Sequence, residues 1–339
     1  MISDRSLEVL RAIVNDYIET REPVGSKTLL ERHQLGVSSA TIRNDMAILE
    51  EEELITAPHT SSGRVPTDKG YRLFVDRLNE VKKLNQAERT AIETFMAGST
   101  DLDETLGRTV RLLAQLTNQV AMVQYPTLGR AKVQTVELIP ISASRVLLVL
   151  VTDTERVQEH IINLGQPVES DFIAELRSRL VAALIGAPLT TVAEKLEGFV
   201  AGFASNRVEN VQLILDGLLA EVDANRQEKI IMAGAANLVR REQDFAGSIG
   251  PVLEAIEEQV ILLKLMSEMQ AEQYGVGVRI GRENQVEPLS NTTIMVSGYE
   301  TQGQEIAKLG VLGPTRMDYS SNIAAVSAVA RYLSKTLGN

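Results

Sequence analysis

The 339 residues include no cysteine, which excludes disulfides and thiolate metal sites and fits a reducing cytoplasm. Histidine is scarce, with only His33, His59 and His160. None lies in a nucleophile context such as G-x-S-x-G, so no hydrolytic triad is indicated. Neither His33 nor His59 has a second ligand at metal-binding spacing. GVGVRIG at 275–281 is neither a G-x-G-x-x-G turn opening a helix nor a P-loop. Small residues in a tight strand account for it. The chain therefore reads as a non-enzyme, with no metal and no cofactor expected. Long apolar runs are missing too. The longest, VLLVLV at 146–151, falls far short of the roughly 20 residues a spanning helix needs. The opening MISDRSLEVL lacks an apolar signal core. A cytoplasmic protein with no membrane partner is expected.

What is present is an acidic chain too long for one ordinary core, so two or three domains are expected. The net charge of −11 argues by itself against nucleic acid, but distribution matters more than the sum. Two basic islands flank EEEE at 50–53: Lys27, Arg32 and Arg43 against Glu31, then Arg64, Lys69, Arg72 and Arg77 against Asp68 and Asp76. Leu7, Leu10, Val14, Tyr17 and Ile18 predict a first helix. Pro23 and Gly25 break it, and Ser26 caps a second. Ser38 caps a third, with Ile42, Met46 and Leu49 on its inner face. A short strand at 54–56, the loop APHTSSGRVP at 57–66, a second strand and a helix with Tyr71, Phe74 and Val75 inward follow. This order is a helix-turn-helix with a hairpin wing. Residues 79–88 are polar and read as a linker or linking helix. Strands are predicted between 120 and 165, three amphipathic helices at 171–186, 189–204 and 206–222, and a long helix after Pro251. Strands return at 275–281, 292–300 and 305–314, and a helix closes 320–336.

The third helix is the feature with chemistry. A rotation of 100° per residue puts Ala40, Asn44 and Ala47 opposite Ile42, flanked by Thr41 and Arg43. Small residues let a backbone approach the major groove, where Arg pairs with guanine and Asn with adenine. Ser38 and Ser39 at the helix start suit phosphate. Alone, the helix reads first as a solvated face with a serine cap; the neighbouring loop turns the reading to recognition. That loop places His59, Thr60, Ser61, Ser62, Gly63 and Arg64 in succession, donors suited to phosphate or minor-groove contact. Ser26 and Lys27 begin the helix that crosses the DNA backbone in this geometry, although Lys27 reads equally as a solvated lysine.

At this point a resemblance adds to the reading. PVGSKTL at 23–29, the block SSATIRNDMAILEEEELITAPHTSSGRVPTDKGYRLFVD at 38–76, VRIGREN at 278–284 and GVLGPTRMDYSSNI at 310–323 resemble the HrcA family of heat-inducible transcription repressors. The likeness implies an α+β fold. It consists of an N-terminal winged helix-turn-helix (1–80), a linker (81–100) and a GAF-like α/β domain (101–168 and 241–339). That last domain is interrupted by an inserted, mostly helical dimerisation domain (169–240). It implies repression of class I chaperone operons by a homodimer on the palindromic CIRCE operator, kept active by the GroEL-type chaperonin. The family's DNA-binding motif falls on Ser38, Ser39, Thr41, Arg43, Asn44, His59, Thr60, Ser61 and Arg64. The family usually carries glycine near position 53, where this chain has Glu53, so the end of the third helix is where it departs. Arg282, Arg316 and Asp318 read as structural polar contacts, with an interdomain role as the alternative. Ile173, Leu176, Leu180 and Leu184 are placed at the dimer seam. Two other classes of function compete: a winged-helix regulator controlled by a small-molecule effector in its GAF-like domain, and an interaction module that has lost DNA binding.

Overall fold

The computed structural model describes residues 2–338 apart from 60–61, 79–81, 83, 97–100, 127–130, 154–156, 227–228, 246 and 302. Two compact units form, Met1–Tyr125 with Lys229–Asn339, and Pro126–Glu228. The first opens with α1 (Asp4–Thr20), α2 (Ser26–Arg32) and α3 (Ser39–Glu51). The Ser3 and Ser38 side chains accept from the amides of Ser6 and Thr41, occupying donors that a first helical turn leaves free. Two short strands, β1 (Ile55–Thr56) and β2 (Val65–Pro66), pair antiparallel, and α4 (Asp68–Asp76) follows under a Thr67 cap. Ile13, Leu29, Ile42, Leu49, Leu54 and Phe74 meet in one core. Each such side chain contributes about 1.5–3 kcal/mol by leaving water.

Next come α5 (Gln86–Met96), α6 (Leu102–Thr117) and β3 (Val120–Gln124). The second unit then contributes β4 (Val133–Ser142), β5 (Arg145–Thr152), β6 (Val157–Asn163), α7 (Ser170–Leu184), α8 (Val192–Lys195) and α9 (Val208–Arg226). The first unit resumes with β7 (Ile230–Ala233), α10 (Ala235–Arg240), α11 (Gly250–Glu257), α12 (Gln259–Glu268), β8 (Gly277–Ile280), β9 (Thr292–Thr301), β10 (Gln304–Pro314) and α13 (Tyr319–Leu337). Its sheet runs β7-β3-β10-β9-β8, antiparallel throughout. Side chains alternate faces along a strand. Ala121 and Val123 join the core with Leu106, Val110, Val326 and Val329, while Val120 and Met122 join Leu238, Ile256, Leu262 and Met266. Helices thus cover the sheet on both faces. Among the described residues no helix is long and apolar enough to cross a membrane, and no group of three or more His, Asp or Glu could hold a metal ion.

The structure differs from the sequence reading in three ways. The strands at 133–163, expected in the domain at 101–168, form their own antiparallel sheet, β4-β5-β6. They pack with α7 and α9 through Val136, Leu148, Leu150, Leu176 and Ile214. At the other end, residues 230–233, expected inside the insert, pair with β3 in the five-stranded sheet. Second, the helix expected at 189–204 breaks, because Gly198 takes the left-handed conformation at φ 72. The long helix after Pro251 likewise divides at Glu258, where ψ is 71.

The third difference corrects the expected seam. Ile173, Leu176, Leu180 and Leu184 are at most 2% exposed within this unit alone. Alternate apolar positions of α7 were read as an outer seam, but the companion sheet already covers them. They cannot meet a second copy without opening the core. The apolar surface lies instead on the sheet's other side, where register aligns Ile139, Leu147 and Ile161 across the three strands. Ile139 and Ile161 are exposed and Leu147 is half-buried.

Candidate nucleic-acid interface

The sequence of α3 divides it lengthwise. Ile42, Asp45, Met46 and Leu49 are buried, while Ala40, Arg43, Asn44 and Ala47 are exposed. The exposed face has no large apolar side chain, and among the described residues no ion pair or hydrogen bond holds Arg43 or Asn44. The predicted residues near the helix start come together. Ser38 Oγ lies 3.0 Å from Thr41 Oγ1, and Ser26 Oγ lies 3.3 Å from Ser39 Oγ, joining the N-termini of α2 and α3. Lys27 is exposed beside them. Hydroxyls, amides and the positive ends of the helix dipoles share this corner, an arrangement suited to a phosphate.

A residue not singled out from the sequence fixes the helix from behind. Asp45 is fully buried. It accepts from Arg5 Nε at 2.8 Å and from Ser6 Oγ at 2.9 Å. The Arg5 hydrogen bond holds the Asp45 carboxyl below its ordinary value, although burial works the other way. An aspartate at this spacing is invisible to an apolar-periodicity reading, because it occupies a core position with its own counterion.

The far end of α3 answers the question raised by Glu53. Its φ is 58, the left-handed region that favours glycine. The Glu53 amide donates to the Glu50 carbonyl and the Leu54 amide to the Leu49 carbonyl. These two bonds are a Schellman close, with buried Leu49 and Leu54 as its apolar pair. Helix termination therefore proceeds without glycine, at a backbone cost. Thr67 Oγ1 donates to the Glu53 carbonyl at 2.7 Å and Lys69 Nζ to the Glu52 carbonyl at 2.8 Å, so α4 is pinned to this turn.

The hairpin is braced at its root. Val24 and Arg64 exchange both backbone bonds at 2.9 Å. A side chain at Gly63 would come within 2.5 Å of the Val24 backbone. His59 is exposed, and its amide and carbonyl both meet Ser62 Oγ. Thr60 and Ser61 lie outside the described residues. Arg64 is not a free cation: its Nε donates to Glu50 Oε2 at 3.0 Å, and NH1 reaches the Ser62 carbonyl at 3.3 Å. One member of the glutamate block thus ties the hairpin to α3.

The two C-terminal motifs hold the segment to the rest of its unit. In VRIGREN, Glu283 accepts from Arg72 Nε and NH2 in a fork and from the Ile280 amide. The Arg282 amide donates to Asp68. In GPTRMDY, Arg316 donates to the buried carboxylate of Asp244 and to the carbonyls of Tyr17 and Ile18 at the end of α1. The Tyr71 and Tyr319 rings lie 5.5 Å apart. Arg72, Asp244 and Glu283 were missed from sequence because their partners lie far along the chain. Arg316 and Asp318 both make structural polar contacts, Arg316 between distant parts of one unit and Asp318 as the cap of α13.

With this geometry in view, comparison with known proteins is informative. The HrcA protein C-terminal domain family matches residues 103–323. A heat-inducible transcription repressor HrcA from Clavibacter michiganensis subsp. michiganensis is 58% identical over 99% of each chain. Another of that name, from Arthrobacter sp. (strain FB24), is 56% identical over 100% of both. A solved structure described as a hypothetical protein at 2.2 Å resolution aligns over 100% of this chain and 99% of its own, with 27% identity and a TM-score of 0.67.

Two outcomes are expected. Glu53→Gly relieves the left-handed strain and raises stability by about 1 kcal/mol in denaturant unfolding; no gain would mean the turn is unstrained. Because Asp45 has a lowered pKa, its contribution is complete above the ordinary carboxylate value of 3.8. It is lost as pH falls through the lower folded value. Asp45→Asn should therefore destabilise the chain at neutral pH and flatten its loss of stability below about pH 4. An unchanged acid limb in the variant would remove Asp45 from that role.

Proposed function

The chain belongs to the HrcA family of heat-inducible transcription repressors, and from that premise we propose that it represses chaperone operons as a homodimer on the inverted-repeat CIRCE operator. The segment 1–78 acts as a winged helix-turn-helix, the five-stranded sheet and its helices as a GAF-like domain, and the unit 126–228 as the dimerisation domain. The repressor works in the cytoplasm, and the GroEL-type chaperonin keeps it competent, as the family resemblance implies.

The observation that carries the DNA assignment is the exposed face of α3, where Arg43 and Asn44 stand free between Ala40 and Ala47. On that face Arg43 forks onto a guanine and Asn44 onto an adenine. Ser26, Lys27, Ser38, Ser39 and Thr41 hold a phosphate at the joined helix starts. His59 and the neighbouring Thr60 and Ser61 meet the adjacent backbone. Arg64 is better placed as the brace of the hairpin than as a free phosphate contact, because Glu50 already occupies it. Two copies related by a twofold axis present two such faces, matching an inverted repeat. The seam is the sheet row Ile139, Leu147 and Ile161, an apolar surface that α7 and α9 leave bare.

Operator titrations test this reading. Arg43→Ala should weaken binding by about 1–3 kcal/mol and relax preference at one base position in each half-site. If affinity and base preference both stay unchanged, α3 does not read the operator. A footprint with and without chaperonin should show fuller occupancy with it. For the seam, Ile161→Asp should turn dimers into folded monomers by light scattering; an intact dimer would place the seam elsewhere.

A further inference from the structure

A groove of about 760 Å³ lies between the start of α5 and the outer face of α13. Four of its lining residues are cations, Lys82, Arg89, Arg331 and Lys335, and none is an acid. In a chain of net charge −11 this is a local inversion. Among the described residues none of the four is in an ion pair. Lys335 has a structural reason for its place, since it lies in the last turn of α13, where a cation suits the helix dipole. Arg331, one turn earlier, does not share that reason, and like charges four residues apart on a helix repel. Carboxylates border the groove without lining it: Glu93 accepts from the Tyr332 hydroxyl at 2.8 Å, and Asp76 and Glu272 share an adjoining cleft with Tyr274.

Two tyrosines complete the wall, Tyr274 and Tyr332. Tyr274 is held in the left-handed region at φ 61, strained for an aromatic residue, and is 41% exposed. Ser327 Oγ donates to its carbonyl at 3.0 Å, and its own hydroxyl donates to the Leu78 carbonyl at 3.0 Å. The fold thus spends two hydrogen bonds holding a strained, exposed ring at the edge of a cationic groove.

We propose that this groove binds a small polyanion carrying a planar ring, the nucleoside polyphosphate class. Arginine and lysine take the phosphates, and a tyrosine ring offers a stacking face. The volume falls within the roughly 300–1,000 Å³ of small-molecule clefts, and a concave wall fits a compact ligand better than a duplex backbone. The site stands apart from α3, so the proposal does not depend on the operator reading.

Calorimetric titration of the full chain with ATP, sodium tripolyphosphate and adenosine tests it. ATP and tripolyphosphate should bind saturably at one site per chain, more weakly as salt rises, with ATP about tenfold tighter. Adenosine alone should bind weakly or not at all. The double variant Arg331→Ala with Lys335→Ala leaves the apolar core untouched and should weaken both anions by tenfold or more, with thermal unfolding lowered only slightly by the lost dipole contact of Lys335. Tyr274→Asn suits the left-handed backbone and should remove the advantage of ATP over tripolyphosphate. The proposal is overturned by absence of saturable binding up to about 1 mM, a millimolar Kd being the weak limit of specific recognition. It is equally overturned if the double variant binds unchanged, or alters only the salt dependence of operator binding. The last result would assign the cations to DNA.

Discussion

A carboxylate with almost no access to water organises the first unit. Asp244 is 1% exposed at its side chain and is held by Arg316 and Arg21. Taking a charge out of water is costly unless every lone pair is satisfied, so its position dictates where two arginines must be. Arg316 in turn grips the last carbonyls of α1, the end of a helix where a cation is favoured. At the other end of α1, Arg5 reaches Asp45 inside α3. One helix thus carries an ionic joint at each end, the first to the body of the unit and the second to the helix that presents Arg43 and Asn44.

This arrangement gives the charges of an acidic chain distinct uses. Arg5, Arg64, Arg72 and Arg316 are committed to named carboxylates. They act as fasteners, with the planar fork of arginine suited to carboxylates. Arg43 and Lys27 are left without such partners on the surface proposed for DNA, as are the four cations of the α5–α13 groove. Net charge was a poor guide because it does not separate arginines fastened to neighbouring carboxylates from cations that stand clear of them.

Much of the N-terminal segment could be read from the sequence, because its signals are local. Serine caps, a proline-glycine break and apolar residues at helical spacing specify α1 to α4 within a few residues of chain, and the burial of α3 follows its helical wheel. The residues proposed for recognition, Ser38, Ser39, Thr41, Arg43 and Asn44, are exposed or half-buried, as the spacing implies. What could not be read depends on distant partners. Asp45 looks like a surface acid until Arg5 is placed beside it. Arg64 looks like a free donor until Glu50 reaches it. The α7 leucines have the same spacing whether they face a second copy or their own sheet, and only the position of β4 to β6 decides. Glycine marks a left-handed turn, but Glu53 adopts one because Leu54 and Thr67 over-determine the backbone there.

The root of the hairpin has a consequence for how such a protein can vary. Pairing of Ile55 with Pro66, the Val24–Arg64 bridge and the close fit of Gly63 fix both feet of the loop independently of its tip. Residues 57–62 are therefore a cassette in the engineering sense. Their length and side chains can be exchanged while α3 and α4 keep their places, so under the proposed DNA reading the hairpin tip can be retuned separately from the exposed face of α3.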